Sequence, residues 1–446
     1  MSNYKPQAQS KAHELAAAAV IDNKDCGLVR LKARWELGFM TTKERTVPIN
    51  IKVLRNLCIL IGILSAGCSS TNEQTTVAAA PPAPPPIVAV PYEQAVRKAA
   101  QDLLTNAKLP SDQKFSLIID PLVDGNTGQQ TVATANMEKS LIELVKSNYS
   151  QLDVKPFNNA IVSQAPLIMV GTFTPINLQG KADGERDAYR ICFALADLKT
   201  GKIISKGLAR SLPNGFDPTP LPFFREMPVW SKDTAVEGYI KTCQGTKAGD
   251  PINPAYIDAV LASSTINEAM TAYQEKRYKD SLALYQSVLK NPAGNQARVH
   301  VGIYLNDQKL GRKPAAMKSF GELVNMGLST DRLAIRFNFK PGATAFTPDQ
   351  HPYAQWLSEI AKQAQRQTSC LEIAGHTRKG SSEQLDERLS LQRAEFVRQK
   401  LIASSPSLAK RTTAQGYGSR KAIIGTGKDN ESDALDQRID FKKTSC

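Results

Sequence analysis

The stretch Gly375–Ala394 reads GHTRKGSSEQLDERLSLQRA and decides the fold of the C-terminal part of the chain. Immediately before it, Leu371–Ile373 alternates apolar and polar side chains, which predicts a strand that ends where the stretch begins. The following residues predict a helix over about 385–402, whose inward arc consists of Leu385, Leu389, Phe396 and Val397. Arg393 lies in the middle of this arc. Because an unpaired buried charge is costly, Arg393 requires a carboxylate, either from its own chain or from a ligand.

These residues resemble the OmpA-like peptidoglycan-binding domain, whose core motif is a strand, GHTD, a loop with asparagine, and LSxxRA. The resemblance covers roughly 333–442 and carries over Gly375, His376, Thr377, Leu389, Ser390, Arg393 and Ala394. It implies a βαβαβ domain whose partner is peptidoglycan. In that family the acid of GHTD and the arginine of RA hold the ammonium and the carboxylate of diaminopimelate in the peptide stem. This chemistry is sound, because an ammonium pairs with a carboxylate and a carboxylate pairs with a bidentate guanidinium.

Two positions of the motif depart from the family pattern. Arg378 stands at the position of the family's acid, and Asp386 stands at the position of its asparagine. Either Asp386, Glu383 or Glu387 supplies the missing negative charge, or the ligand is not ordinary diaminopimelate. Near the end of the chain, Arg438 matches an arginine of the family's closing NRRV segment. The resemblance therefore implies five candidate peptidoglycan-binding residues, which are Arg393, Thr377, Arg378, Asp386 and Arg438.

Residues 1–67 predict a leader and a lipoprotein signal peptide. The chain starts at Met1 or at Met40, after which basic residues precede an eight-residue apolar core. Eight apolar residues are too few to cross a hydrocarbon layer of about 30 Å. The core runs into LSAGC, which resembles the bacterial lipobox and predicts lipidation of Cys68. Ser69, as in enteric lipoproteins, implies transfer to the outer membrane, with the protein on the periplasmic face.

The rest of the chain divides by composition and pattern. Residues 68–91 are rich in proline and predict an extended tether. Residues 92–247 predict an α/β domain with a helix over 134–147 and strands at 115–120, 152–157, 167–174, 189–198 and 202–206. Together with the C-terminal domain, 331–446, this pattern predicts a multidomain α+β protein.

Residues 252–328 contain a repeat at a 35-residue offset, in which a small residue is followed by an aromatic one four positions later. The repeat places Ser281 with Ala316 and Tyr285 with Phe320, and it resembles the second helix of tetratricopeptide repeats. Two repeats bury little apolar surface alone, so we expect them to dock on a neighbouring domain.

The C-terminal domain contains two further local patterns. Apolar residues at 335, 337 and 339 alternate with polar ones, which predicts a half-buried strand. Thr347-Pro348-Asp349 predicts the start of a helix, with threonine as its cap and proline in its first turn. The inward face of that helix consists of Tyr353, Trp356, Leu357 and Ile360.

Seven cysteines are present, and no two of them form a CxxC pair, which argues against zinc or thioredoxin chemistry. Removal of Cys58 with the signal peptide and acylation of Cys68 leave an even number in the mature periplasmic part. In an oxidising compartment these predict two disulfides, Cys192–Cys243 and Cys370–Cys446.

The formal net charge of +14 is compatible with nucleic acid, phospholipid or an anionic wall polymer as a partner. No nucleic-acid module accompanies the charge, which favours the anionic envelope. No catalytic residue, metal site or cofactor is predicted: the GTGK at 425–428 lacks the serine or threonine of a phosphate loop, and Asp120 and Asp124 fit turn capping better than metal binding.

An alternative function is a periplasmic scaffold or regulator that acts on a protein partner through the α/β domain and the repeats. The order of strands and helices in the α/β domain resembles the periplasmic domain of peptidoglycan-synthase activators and the curli-secretion lipoproteins. Wall binding and a protein partner are compatible, because they use different parts of the chain.

Overall fold

Twelve α-helices and two β-sheets make up the residues that the computed structural model describes, which are 88–177, 179–182, 186–231, 233–348, 351–380, 382–427 and 431–446. These ranges confirm the predicted α+β class. They belong to one compact unit, Ala83–Cys446. The predicted leader, Cys68 and the tether up to residue 87 lie outside the described residues. Every helix within the described ranges is too short or too polar to span a membrane.

The N-terminal sheet contains the predicted strands of the α/β domain. Its members are β1 (Ala89–Val90), β2 (Phe115–Ile119), β3 (Val123–Asp124), β4 (Leu152–Lys155), β5 (Leu167–Ile176), β6 (Ala188–Asp197) and β7 (Lys202–Ser211). They follow the order β1-β7-β6-β5-β2-β4, and β3 also pairs with β5. The pairs β5–β6 and β6–β7 are antiparallel, which confirms the predicted hairpin, whereas the other pairs are parallel.

Helices cover both faces of this sheet. The helices of this part are α1 (Tyr92–Asn106), α2 (Val132–Asn148), α3 (Asn159–Val162), α4 (Pro222–Glu226), α5 (Thr234–Gln244) and α6 (Pro254–Ile257). Of these, α4 packs instead into the core of the repeat helices and the C-terminal domain, through Phe223 and Phe224. One apolar core lies between the sheet and α1 and α2, and a second lies beneath α3, α5 and α6. A disulfide between Cys192 of β6 and Cys243 of α5 crosses the second core, with a Cα separation of 6.1 Å.

The repeat region consists of two helical pairs, formed by α7 (Val260–Gln274), α8 (Tyr278–Val288), α9 (Ala297–Lys309) and α10 (Lys313–Ser329). Tyr285 and Phe320, which occupy equivalent repeat positions, are both fully buried. The apolar side chains of these helices join those of the C-terminal sheet in one core, in which Phe320 stacks on Trp356 with ring centroids 5.3 Å apart. The helical pairs therefore dock on the C-terminal domain, as expected.

The C-terminal sheet has five strands in the order β11-β10-β12-β9-β8. Their bounds are β8 (Val229–Trp230), β9 (Leu333–Ile335), β10 (Cys370–Gly375), β11 (Thr412–Gly416) and β12 (Ile439–Thr444). With α11 (Tyr353–Arg366) and α12 (Glu383–Ser404), the elements from β9 to β11 give the predicted βαβαβ order. The last strand, β12, lies between β10 and β9, and the edge strand β8 comes from a segment about one hundred residues earlier in the chain. A disulfide joins Cys370 to Cys446, with a Cα separation of 5.1 Å.

Two predicted element boundaries in this domain are wrong. Thr347 does not cap a helix, because its backbone N–H and its hydroxyl both donate to the carbonyl of Asn338, at 2.8 and 3.2 Å, and α11 begins only at Tyr353. The strand predicted to continue to residue 339 ends at Ile335. Phe337 and Phe339 are nevertheless buried in the core. The alternation of apolar and polar residues therefore reflects side-chain burial and not regular strand pairing.

The inward face of α12 is rotated relative to the prediction. Leu385 is 53% exposed, whereas the buried positions are Asp386, Ser390, Arg393, Ala394, Val397 and Leu401. Three of these side chains, Asp386, Ser390 and Arg393, are polar and make tertiary hydrogen bonds, which a hydrophobicity pattern does not detect. The burial of Arg393 itself agrees with the prediction.

Candidate functional site

The site forms where β10 ends and α12 begins, and Gly375 allows the two elements to approach closely. A Cβ atom at Gly375 would lie 2.0 Å from the carbonyl oxygen of Ser390, so any side chain there would force α12 away from the strand. Ser382 then caps α12 by accepting a hydrogen bond from the backbone N–H of Leu385 at 3.3 Å. The loop 376–382 is thereby fixed at both ends.

Arg393 projects from α12 into this site and is 3% exposed. Its Nε donates to the carbonyl of Ala343 at 3.0 Å and its Nη2 to the carbonyl of Lys340 at 3.3 Å. The guanidinium carbon lies 4.8 Å from the centroid of the Phe339 ring. No carboxylate among the described residues forms an ion pair with Arg393, and its Nη1 makes no hydrogen bond to any of them. The sequence left open whether Arg393 pairs with a carboxylate of its own chain or of a ligand. The described residues do not provide the former.

Thr377 and Arg378 lie in the loop that follows β10. The backbone N–H of Thr377 donates to the carbonyl of Gly418 at 3.0 Å, while its hydroxyl is buried and has no partner among the described residues. Arg378 is half-buried. Burial lowers the pKa of Arg393 to about 10, and the positive charge of Arg378 contributes to this shift. Arg393 thus remains protonated at neutral pH and lies within the electrostatic influence of a second guanidinium.

Asp386 organises the loop between β10 and α12. It is buried in the first turn of the helix, and its Oδ2 accepts hydrogen bonds from the backbone N–H of Gly380 at 2.8 Å and from the hydroxyl of Ser419 at 3.2 Å. Glu383 and Glu387 both pair with Arg420, at 3.1 and 2.7 Å. All three acids that the sequence offered as a substitute for the missing carboxylate therefore have partners in the chain.

Arg438 lies directly before β12 and has a carboxylate partner within the chain. Its Nε and Nη2 donate to the two carboxylate oxygens of Asp440, at 2.9 and 3.3 Å, and it also donates to the carbonyls of Leu435 and Lys421. His376 approaches the same carboxylate, with its Nε2 at 3.0 Å from Oδ2. The structure brings Thr377, Asp386 and Arg393 together around the β10–α12 junction and gives Arg438 a bidentate partner of its own.

Sequence reasoning missed the residues that hold Arg393 in place. Phe339 and the carbonyls of Lys340 and Ala343 belong to the loop after β9, about fifty residues away in sequence. The Pro341-Gly342 pair inside this loop is a turn signal, and Gly342 has a φ of +63°. That signal identifies a turn but not its contact with α12.

A cleft of about 340 Å³ opens beside the site, at the contact with the α/β domain. Its lining includes Ser419 and Arg420 from the loop after β11 and Arg186 from the loop before β6. In the same contact, the side-chain amide of Asn126 donates to the carbonyl of Ile423 at 3.1 Å. The loop after β11, whose Ser419 donates to Asp386, therefore also contacts the α/β domain. Within the described ranges, no cluster of His, Cys, Asp or Glu side chains is arranged to hold a metal ion.

Comparison with known proteins identifies this part of the chain. Residues 338–434 match the model of the OmpA family and form an OmpA family domain. Among solved structures, the peptidoglycan-associated lipoprotein of Burkholderia pseudomallei is 21% identical, with 24% of this chain and 88% of that chain covered and a TM-score of 0.22. The cell wall anchor of the T6SS from Pseudomonas aeruginosa is 20% identical, with 26% and 80% covered and a TM-score of 0.21. The periplasmic domain of Helicobacter pylori MotB is 17% identical, with 25% and 72% covered and a TM-score of 0.21. A comparison with curated proteins found no match.

Proposed function

We propose that this chain, whose residues 338–434 form an OmpA family domain, binds peptidoglycan non-covalently through that domain and links the outer membrane to the cell wall. The observation that carries the proposal is the environment of Arg393. A buried guanidinium is held by two carbonyls and an aromatic ring, and it has no carboxylate partner among the described residues. A buried charge of this kind requires a counter-ion, which a ligand carboxylate supplies.

The geometry suits recognition of a carboxylate at the end of a peptide stem. Because two nitrogens of Arg393 are fixed by carbonyls, the direction of its remaining donors is set before the ligand arrives, and little side-chain entropy is lost on binding. The buried hydroxyl of Thr377, in the loop after β10, offers a second hydrogen-bonding group. Binding through a preorganised charge and a hydroxyl needs no chemical step, so the proposed activity is adhesion.

The test of wall binding compares two arginines of the same helix. Arg393→Ala in the full chain should reduce co-sedimentation with purified sacculi by roughly 30-fold or more, because truncating one partner of a buried charge pair costs about 2–5 kcal/mol. Arg388→Ala is the matched control, since Arg388 is exposed on α12 and should bind as the parent does. If Arg393→Ala sediments with sacculi as well as the parent chain, the domain does not bind the wall through this site.

The full chain is required for this test. The isolated C-terminal segment lacks β8, which pairs with β9, and it lacks the helices that share its core. Removing these elements would expose a strand edge and a large apolar surface, and the resulting loss of folding would resemble a loss of binding.

We further propose that the mature chain begins at a lipidated Cys68 and is held on the periplasmic face of the outer membrane. The support is the short apolar core that leads into LSAGC, followed by the proline-rich tether. Cys68→Ala should move the protein from the membrane fraction to the soluble fraction. Cys58→Ala, within the signal core, is the matched control and should leave the protein in the membrane fraction. An intact mass with an unmodified Cys68 in the parent chain would contradict the proposal.

A further inference from the structure

The edge strand β8 brings an aromatic ring to the outer face of the C-terminal sheet. Trp230 of β8 pairs with Ala334 of β9, which pairs with Asp440 of β12. Because side chains directly opposite one another in paired strands lie on the same face, these three form a row across the sheet. The neighbouring residues Leu333 and Phe441 belong to the apolar core beneath the helices. The row therefore lies on the face of the sheet that is turned away from α10, α11 and α12.

Trp230 differs from Trp356, the other tryptophan among the described residues. Trp356 is 1% exposed and packs against the rings of Tyr304 and Phe320. Trp230 is half-buried, and within the described part of the chain no other ring and no cation lies over its indole. Its Nε1 donates to the carbonyl of Thr127 at 3.2 Å, which fixes the orientation of the ring. The fold thus orients this indole without stacking it, as a binding platform requires.

A cleft of about 250 Å³ opens beside Trp230, where the α/β domain meets the C-terminal sheet. Ala334, between Trp230 and Asp440, is part of the lining, and its methyl side chain leaves space that a larger residue would fill. Glu237 of α5 and Arg332, which directly precedes β9, form an ion pair at 2.9 Å in the same lining. The whole lining lies outside residues 338–434, so the match to the OmpA family does not imply this cleft.

The charged side chains of the cleft carry both signs, and most of them are paired. Arg332 neutralises Glu237, and the carboxylate of Asp440 is held by Arg438. Lys442, two residues after Asp440, adds a donor on the same face of the sheet. A neutral ligand with several hydroxyl groups suits such a lining, because a hydroxyl donates to a carboxylate and accepts from a cation.

From the oriented indole and the balanced charges we infer that this cleft binds a sugar unit of the wall's glycan strand. One face of a pyranose presents C–H groups that pack on an indole, while its hydroxyls project sideways toward hydrogen-bonding partners. The acetamido group of an amino sugar adds one more donor and one more acceptor. The contact is separate from the one proposed for Arg393, which takes the peptide stem of the same polymer.

Titration of the full chain in detergent with chitotriose, a peptide-free trimer of N-acetylglucosamine, tests the inference. In two-dimensional NMR the indole N–H signal of Trp230, identified by its loss in Trp230→Phe, should shift, whereas that of the buried Trp356 should not. By calorimetry, Trp230→Leu should weaken binding about tenfold, because it removes the aromatic face but keeps apolar bulk.

A second variant guards against loss of folding at Trp230. Ala334→Val should weaken chitotriose binding by filling the cleft, and a β-branched residue is well tolerated in a strand. Thr413→Val is the matched control, because it places the same side chain on exposed β11, at the opposite edge of the sheet, and should bind as the parent does. If Trp230→Leu and Ala334→Val both bind as tightly as the parent, or if the Trp230 signal does not shift, the inference is wrong.

Two further comparisons separate the cleft from the stem site. Arg393→Ala should bind chitotriose as the parent does, and Trp230→Leu should bind a free stem peptide as the parent does. Loss of chitotriose binding in Arg393→Ala would place the sugar at the stem site, which overturns the inference and leaves wall binding in place. Cellotriose, which lacks acetamido groups, should bind more weakly than chitotriose, and equal binding would overturn the assignment to the wall's glycan.

Discussion

Two buried arginines of the C-terminal domain, Arg393 on α12 and Arg438 directly before β12, have opposite electrostatic environments. Arg438 makes a bidentate contact with Asp440, whose carboxylate also lies 3.0 Å from Nε2 of His376. Arg393 is held by carbonyl oxygens and an aromatic ring, which orient a cation but do not neutralise it. Both arginines match the family motif in sequence. The difference shows that a motif position alone does not separate an arginine that stabilises the fold from one that is available to a ligand.

The largest expected effect is on the stability of the Arg438 region. Arg438→Ala leaves the carboxylate of Asp440 largely buried and without its main partner, and breaking a buried pair in this way costs about 3–5 kcal/mol. We expect this loss in urea unfolding followed by tryptophan fluorescence. The double variant Arg438→Ala/Asp440→Ala should recover part of the loss. An unfolding midpoint equal to that of the parent would show that the two arginines do not differ as described.

A smaller effect on stability is expected at Arg393. Arg393→Ala removes two hydrogen bonds to carbonyls and one cation–π contact, but it also removes a buried charge, so the net loss should be only about 1–2 kcal/mol. The same urea assay measures it, and the sacculus assay should show the reverse order, with Arg393→Ala the more damaging variant. If Arg393→Ala is the less stable of the two, the burial of Arg393 serves the fold and not a ligand.

The smallest expected effect is a pH dependence at His376. Burial lowers the pKa of His376, and the nearby carboxylate of Asp440 offsets this only in part. The unfolded chain therefore binds a proton near pH 6.5 that the folded chain does not bind, so this residue destabilises the fold as the pH falls below about 6.5. His376→Gln should flatten the urea midpoint between pH 7 and pH 5 relative to the parent.

In the α/β domain, Asp120 changes the pH dependence of stability in the opposite direction. Burial raises the pKa of Asp120 to about 7, in spite of the hydrogen bond from Tyr256. Because the folded chain then holds a proton that the unfolded chain has lost, Asp120 stabilises the fold as the pH falls from 7 toward 4. Asp120→Asn should therefore steepen the loss of stability on acidification, whereas His376→Gln should reduce it. Equal slopes for the two variants would contradict this assignment of charges.

The sequence predicted the elements of the fold better than the contacts between them. The helical period placed Arg393 on the inward face of α12, because apolar neighbours three and four positions away repeat on that face. The same period wrongly placed Leu385 inside, because Asp386 and Ser390 are buried through hydrogen bonds to Gly380 and Gly418 and not through hydrophobicity. Polar burial of this kind depends on loops that pack from elsewhere in the chain.

Contacts between segments that are distant in sequence could not be predicted, for the same reason. The carbonyls that hold Arg393 lie in the loop after β9, and the edge strand β8 has two residues, too few for any period to appear. By sequence, Glu383 and Glu387 were candidates for the missing acid. In the structure both form ion pairs with Arg420, which belongs to the loop after β11. Local patterns fix which residues are buried together in one element, and tertiary pairing fixes which charges remain unneutralised.

The disulfide between Cys370 and Cys446 has a mechanical consequence for the proposed attachment of the chain to both a membrane and the wall. It closes a covalent loop, 76 residues in sequence separation, that encloses β10, α12, β11 and β12 and therefore every candidate wall-binding residue. Tension applied at the N-terminal end of the described residues acts first on β1, an edge strand of two residues. Backbone drawn out from that end can lengthen the chain only as far as Cys370. The loop that holds Arg393 through the carbonyls of Lys340 and Ala343 lies before Cys370, so unfolding that reaches Cys370 releases Arg393 although the covalent loop stays closed.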